Sequence, residues 1–219
     1  MNRHDLIYLQ ASDSYRFLDA SLPLQVKQKI QEQISQNIPF TVCRQESEDY
    51  FKVAINIMLQ QRKYRVALGL NATPTLSQRP LLLARILDRF SAEIQTMLQH
   101  FISAMQQLSC CVYVYGSYAN QFFNPDIFVH AQSDLDLLIQ PEHRHALDQI
   151  IAEIIKFKAQ LCIPIDGEIA LEHKQNISFN ELIFALHHQQ EQIIVKGLRD
   201  IKLQSIADIC GENLNAFQQ

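Results

Sequence analysis

The chain has 219 residues, 47% of them hydrophobic and 19% charged, and 19 Lys+Arg against 23 Asp+Glu give a net charge of −4. That length holds one large domain or two small ones, and the apolar share supports a buried core rather than disorder. The mild acidity argues against a general binder of nucleic acid or anionic membrane, which needs a basic surface to displace phosphate counterions. No stretch approaches the ~18 uncharged apolar residues of a membrane span. The opening MNRHDLIYLQASD has no apolar h-region, so a signal peptide is not expected and the protein is expected to be cytoplasmic. Cys43, Cys110, Cys111, Cys162 and Cys210 are odd in number and lack CxxC spacing, which predicts reduced cysteines rather than disulfides or zinc ligands.

Residues 1–78 read as a small α+β domain, and residues 79–219 as the larger one. In the first, HDLIYL is followed by a helix over Gln25–Gln36 and by the extended IPFTVCR. A mixed stretch then covers Tyr50–Leu59, a strand covers Tyr64–Leu70, and Asn71–Pro74 is turn-like. Residues 80–108 read as one long helix. Pro80 suits its first turn, and Leu83, Ile86, Phe90, Ile94, Met97, Phe101 and Met105 form its apolar stripe. Cys110–Ser117 is a β-rich run that stops at Gly-Ser, with a loop of about 15 residues after it. Ser133–Ile139 is a second strand. Pro141 is expected to start a helix with Leu147, Ile150, Ile151, Ile154 and Ile155 on its apolar face, and Leu161–Leu171 is a third strand. A long helix followed by strand, strand, helix, strand defines an α/β layer within an α+β chain.

The chemistry gathers on these three strands. Alternation puts Asp134 and Asp136 on one face of the second strand and Leu135 and Leu137 on the other. Two neighbouring carboxylates repel each other unless a divalent cation sits between them, although a bare Asp-x-Asp is also compatible with an exposed polar edge. Gly116-Ser117 ends the first strand where backbone N–H groups can approach a phosphate, and a helix beginning near Tyr118 would add its positive end. The third strand supplies Asp166 and Glu168 on a common face. Either can bind a metal or accept a proton, with Asp166 the first choice, and both could equally be turn acids around Gly167. Together these groups suit two-metal phosphoryl-type transfer.

Gly-Ser, Asp-x-Asp and a third-strand acid resemble the nucleotidyltransferase fold of the DNA polymerase β type, with 17 residues from Ser117 to Asp134. Almost end to end, the chain is similar to the malonate decarboxylase holo-acyl-carrier-protein synthase family, the phosphoribosyl-dephospho-CoA transferases. The resemblance rests on Arg3-His4-Asp5-Leu6, Arg44, Gly69, Arg79, Gly116-Ser117 and Ser133-Asp134-Leu135-Asp136-Leu137-Leu138. It continues in Asp166-Gly167-Glu168 and Val195-Lys196. Departures are Asn120-Gln121 where the family has Trp-Gln, Phe179 before Glu181 in place of a Trp, and Asn71 in place of an Arg. The resemblance implies transfer of a phosphoribosyl-dephospho-CoA group from triphosphoribosyl-dephospho-CoA to a serine of the apo acyl-carrier subunit of malonate decarboxylase. Pyrophosphate would leave, and Mg²⁺ would be the cofactor. It implies Asp134, Asp136 and Asp166 as metal ligands and catalytic groups. Gly116, Ser117, Ser133, Glu168 and Lys196 would contact substrate, without nucleic-acid or membrane partners. The alternatives are a nucleotidyltransferase that draws on an ordinary NTP to modify a protein or small molecule, and a non-catalytic module on the same fold.

Lesser features have bland alternatives. Lys196 could clamp a phosphate or be an edge-strand lysine. Arg44 and Arg79 could meet phosphates, since a guanidinium fork suits them, or form surface ion pairs. Arg3, His4 and Asp5 could be ordered at the substrate or a domain boundary, or simply solvated. His143, His145, His187 and His188 lack zinc-type spacing and are expected to be solvated. Tyr113, Tyr115 and Tyr118 could stack an adenine, but Tyr113 and Tyr115 are expected to pack against the long helix.

Overall fold

A computed structural model describes residues 1–143 and 146–210. They fall into two compact units, residues 1–80 with 119–130, and residues 81–118 with 131 onward.

The first unit is built on a five-stranded antiparallel sheet in the order β1-β3-β4-β5-β2. Its strands are β1 (Leu6–Ile7), β2 (Tyr15–Phe17), β3 (Phe40–Val42), β4 (Phe51–Leu59) and β5 (Arg62–Leu70). Helix α1 (Leu24–Ser35) buries Val26, Ile30 and Ile34, as its 3.6-residue spacing predicts. The mixed stretch at 50–59 is a strand. It lies centrally, so Val53, Ala54 and Ile55 are all buried and the alternation of a one-sided strand is lost. Gln60 and Gln61 both have positive φ (50° and 62°), which makes β4–β5 a two-residue primed hairpin without its usual Asn-Gly signature. Gly69 packs where a Cβ would lie 2.8 Å from the Tyr50 ring, and the Arg16 guanidinium covers that ring at 4.4 Å.

Asp5 is ordered. Its carboxylate is 4% exposed and accepts from Arg79 (2.5 Å), the Asn2 amide (2.8 Å) and the Ser77 hydroxyl (3.2 Å). Asp5 and the distant, partly exposed Arg79 are therefore one ion pair that ties residue 5 to residues 77–79. Arg44 forms an exposed pair with Glu46 at 2.8 Å. Asn71 donates to the Ser14 hydroxyl at 2.7 Å. Gln121 donates to the Asp126 carbonyl and accepts from the Phe128 amide, and so holds the 126–128 loop.

The second unit carries a seven-stranded sheet in the order β12-β11-β10-β9-β8-β7-β6. The expected single helix over 80–108 is absent. Leu81–Leu82 is β6, paired with β7 (Cys110–Val114); Leu83–Arg89 is a 3₁₀ turn; and α2 is Ala92–Gln107. Phe90 and Ser91 are extended between them. Leu83 and Ile86 lie three apart, a spacing that fits a 3₁₀ turn as well as an α-helix, so the stripe could not reveal the break. Strand β8 is Leu135–Pro141, and α4 is Leu147–Gln160. Pro141 ends β8 opposite Cys110 rather than starting the helix, and His145 lies outside the described residues. Ile155 is on the exposed side of α4 and Phe157 takes its place in the core, stacked on Phe101 of α2 at 4.1 Å.

Strand β9 (Ile165–Ala170) runs parallel to β8, and every other pairing in this sheet is antiparallel among the described residues. The α4 crossover makes that parallel pair possible. Then come β10 (Asn176–Ser178), α5 (Phe179–His187), β11 (Gln192–Lys196), β12 (Ile201–Ser205) and α6 (Ile206–Cys210). Ser178 caps α5 by accepting from the Glu181 amide at 3.2 Å. Val112, Val114, Leu135, Leu137, Ile139, Ile165 and Ile169 form one fully buried sheet face. Tyr113 is not on it. Register places Tyr113 beside Leu138, on the opposite face, while Tyr118 stacks on Phe90 at 5.2 Å.

All five cysteines are free. Burial, then Cys111 and Glu142, pushes the Cys110 thiol up to about 11, so it stays a thiol far above neutral pH. At pH 8 iodoacetamide is expected to label exposed Cys111 and Cys162 and to spare Cys110, because the thiolate is the nucleophile. Peptide mapping that found Cys110 labelled as fast as Cys111 would contradict this packing.

Candidate active site

Strand β7 ends at Val114, and α3 (Gly116–Phe123) begins two residues later, so Gly116-Ser117 forms the strand-to-helix turn. Gly116 has φ +66°, and a Cβ there would lie 1.8 Å from the Asp136 Oδ2. The Asp136 carboxylate thus rests against the glycine, and any side chain here would be strained at this φ and would displace that carboxylate. The Tyr115 amide donates to the Asp136 carbonyl at 3.0 Å and holds the turn to β8.

Asp136 and Asp166 are register partners across the parallel β8–β9 pair. Asp134 is exposed, one residue before β8, after Ser133. Leu135 and Leu137 are buried on the other face, as alternation predicts. The structure therefore brings Gly116 and Asp136 together and sets Asp166 level with them. Among the described residues, no three His, Cys, Asp or Glu groups converge tightly enough to enclose an ion. The arrangement is an open carboxylate row rather than a closed cage. Such a row suits Mg²⁺, which keeps several waters and takes one or two protein carboxylates together with substrate phosphates.

Asp166 and Glu168 share a face but not an environment. Asp166 is exposed, and its Oδ1 accepts from the Gly167 amide (2.8 Å) and from Asn180 Nδ2 (2.9 Å). Glu168 is 6% exposed and accepts from Asn176 Nδ2 at 2.8 Å. The glycine between them is required. Its φ is +152°, and a Cβ would lie 1.9 Å from the Leu137 carbonyl oxygen and 2.7 Å from the Phe179 ring.

Lys196 is not at an edge, because β11 lies between β10 and β12. It pairs with Glu181 at 3.5 Å. In register it stands two strands across and four residues along from Asp166, about 10 Å and about 13 Å at ordinary sheet spacings. The structure does not bring it to the Asp136–Asp166 row. Asn180 and Asn176, whose amides hold Asp166 and Glu168, and Lys158, whose ammonium holds Asn180, were not among the residues expected from the sequence. Nothing in helix or strand periodicity marks them.

Residues 82–207 match the family described as the phosphoribosyl-dephospho-CoA transferase MdcG C-terminal domain. Proteins named phosphoribosyl-dephospho-CoA transferase from Xanthomonas axonopodis pv. citri (strain 306) and Xanthomonas euvesicatoria pv. vesicatoria (strain 85-10) are each 22% identical over 205 residues. The alignment covers 92% of this chain and 92% of each relative. No solved structure matches the chain significantly. The chain is thus a transferase enzyme of mixed α+β build. It belongs to the MdcG family of phosphoribosyl-dephospho-CoA transferases. Among the described residues no helix is long and apolar enough to cross a membrane.

Proposed function

We propose that the enzyme moves a phosphoribosyl-dephospho-CoA group from triphosphoribosyl-dephospho-CoA onto a serine of the apo acyl-carrier subunit of malonate decarboxylase, in the cytoplasm. The second unit is, in this reading, a nucleotidyltransferase domain of the polymerase β type. The observation that carries it is the Asp136 carboxylate seated on Gly116, at the head of α3 and level with Asp166. That geometry joins an anion-binding turn to a pair of acids, as transfer from a polyphosphate requires.

Mg²⁺ held by Asp134, Asp136 and Asp166 would neutralise the triphosphate and its departing charge. The chain's own groups do the rest. The amides of the first turn of α3, with the Ser117 hydroxyl, hold the leaving phosphates. Asp166 accepts the proton of the attacking serine through Oδ2. The serine oxygen bonds the α-phosphorus as the bond from that phosphorus to the β-phosphate oxygen breaks, and pyrophosphate departs. Glu168, buried and held by Asn176, supports the strand instead of reacting.

Incubation with Mg²⁺, triphosphoribosyl-dephospho-CoA and apo carrier, followed by intact mass measurement of the carrier, tests this. One added phosphoribosyl-dephospho-CoA is expected, and no addition when ATP replaces the donor. Adenylylation with ATP alone would retain the site and overturn the donor.

A further inference from the structure

We infer that Asn180, oriented by Lys158, is a positioning residue that leaves one defined oxygen of Asp166 for a cation or proton. The inference rests on the role proposed for Asp166. Both hydrogen bonds to that carboxylate fall on Oδ1, one from the Gly167 amide and one from Asn180 Nδ2. Among the described residues Oδ2 accepts none. An exposed carboxylate ordinarily rotates freely; two donors on a single oxygen stop that rotation.

The Asn180 amide is itself held at both ends. Lys158 Nζ, from the last turn of α4, donates to Asn180 Oδ1, and Asn180 Nδ2 also lies 3.3 Å from the Ile165 carbonyl. An ammonium only donates, so the amide carbonyl must face Lys158 and the amino group must face Asp166. The backbone around it is anchored too. Phe179 is 1% exposed against Gly167, Ser178 caps the helix at this point, and Lys158 lies 5.8 Å from the centroid of the Phe179 ring. Packing fixes α5, α5 presents Asn180, and Asn180 sets Asp166.

Partners of this kind typically change metal affinity or activity 10–100-fold when removed. The test is Mn²⁺ binding followed by electron paramagnetic resonance without donor, alongside the Mg²⁺ concentration that half-saturates turnover, and a thermal melt. Asn180→Ala is expected to weaken Mn²⁺ binding about tenfold or more and to raise the Mg²⁺ requirement in parallel, with little change in melting. Lys158→Met is expected to shift both in the same direction by less, and Lys158→Arg to recover most of that loss. Wild-type Mn²⁺ binding and Mg²⁺ requirement in Asn180→Ala would overturn the inference. Asp166→Ala separates the two layers. If it is inactive while Asn180→Ala is normal, only the positioning role fails; if it binds Mn²⁺ and turns over normally, the role of Asp166 fails with it.

Discussion

Alanine at Asp136, or at Asp134, is expected to lower transfer at least about 10²–10³-fold, the scale on which a pre-placed electrostatic group acts in a transition state. Stability is expected to hold or rise slightly. Asp136 stands level with Asp166 across paired strands, and like charges so placed oppose folding. Removing one relieves that repulsion, while the buried Leu135 and Leu137 keep the strand in place. Initial rates of carrier mass gain, compared with thermal melts, check both halves. Near-normal transfer in either variant would remove the carboxylate row from the mechanism.

Gly167→Ala is expected to damage fold and activity together. The new methyl would lie 1.9 Å from a backbone oxygen of the neighbouring strand, and the residue would keep a φ of +152°. A flexible side chain can move aside; a carbonyl in a parallel ladder cannot, short of separating β8 from β9. Overpacking and backbone strain each cost about 1–3 kcal/mol, so a loss of about 3 kcal/mol is expected in denaturant titration. Activity should fall beyond what the unfolded fraction explains, because the Asp136–Asp166 register and the Gly167 amide bond to Asp166 depend on that same strand spacing. A stable, active variant would mean that β8 and β9 can part without disturbing the acids.

The contrast between Asp166 and Glu168 illustrates what tertiary structure adds. Both alternate onto one face, and along the chain they are equivalent. Pairing with β10 gives Glu168 the Asn176 partner and buries it, while Asp166, at the start of β9, stays open and meets α5. The same applies to Lys196, legible as a candidate phosphate ligand, which the sheet order sets well away from the acid row and next to Glu181. The Asp5–Arg79 pair joins residues 74 positions apart, beyond any local signal.

Local patterns were enough for α1, for the strands at Cys110, Leu135 and Ile165, and for the turn at Gly116. They were also enough for the presence of α4 and its buried Leu147, Ile150, Ile151 and Ile154, though not for its start or for Phe157 in place of Ile155. Each is set by side-chain periodicity or by a glycine's freedom at positive φ, which are properties of neighbouring residues. The break at Phe90–Ser91 and the strand ending of Pro141 were decided by pairing with strands outside the segment, while the Gln60-Gln61 hairpin is a local turn that lacks its usual residue signature. The composition excluded broad binding classes, and the Gly-Ser and acidic motifs, through the family resemblance they carry, pointed to a transferase. Which acid is open, which is buried, and which amide donates to Asp166 depended on contacts between β8, β9, β10 and α5, because hydrogen-bond partners far apart in the chain meet only when the sheet closes.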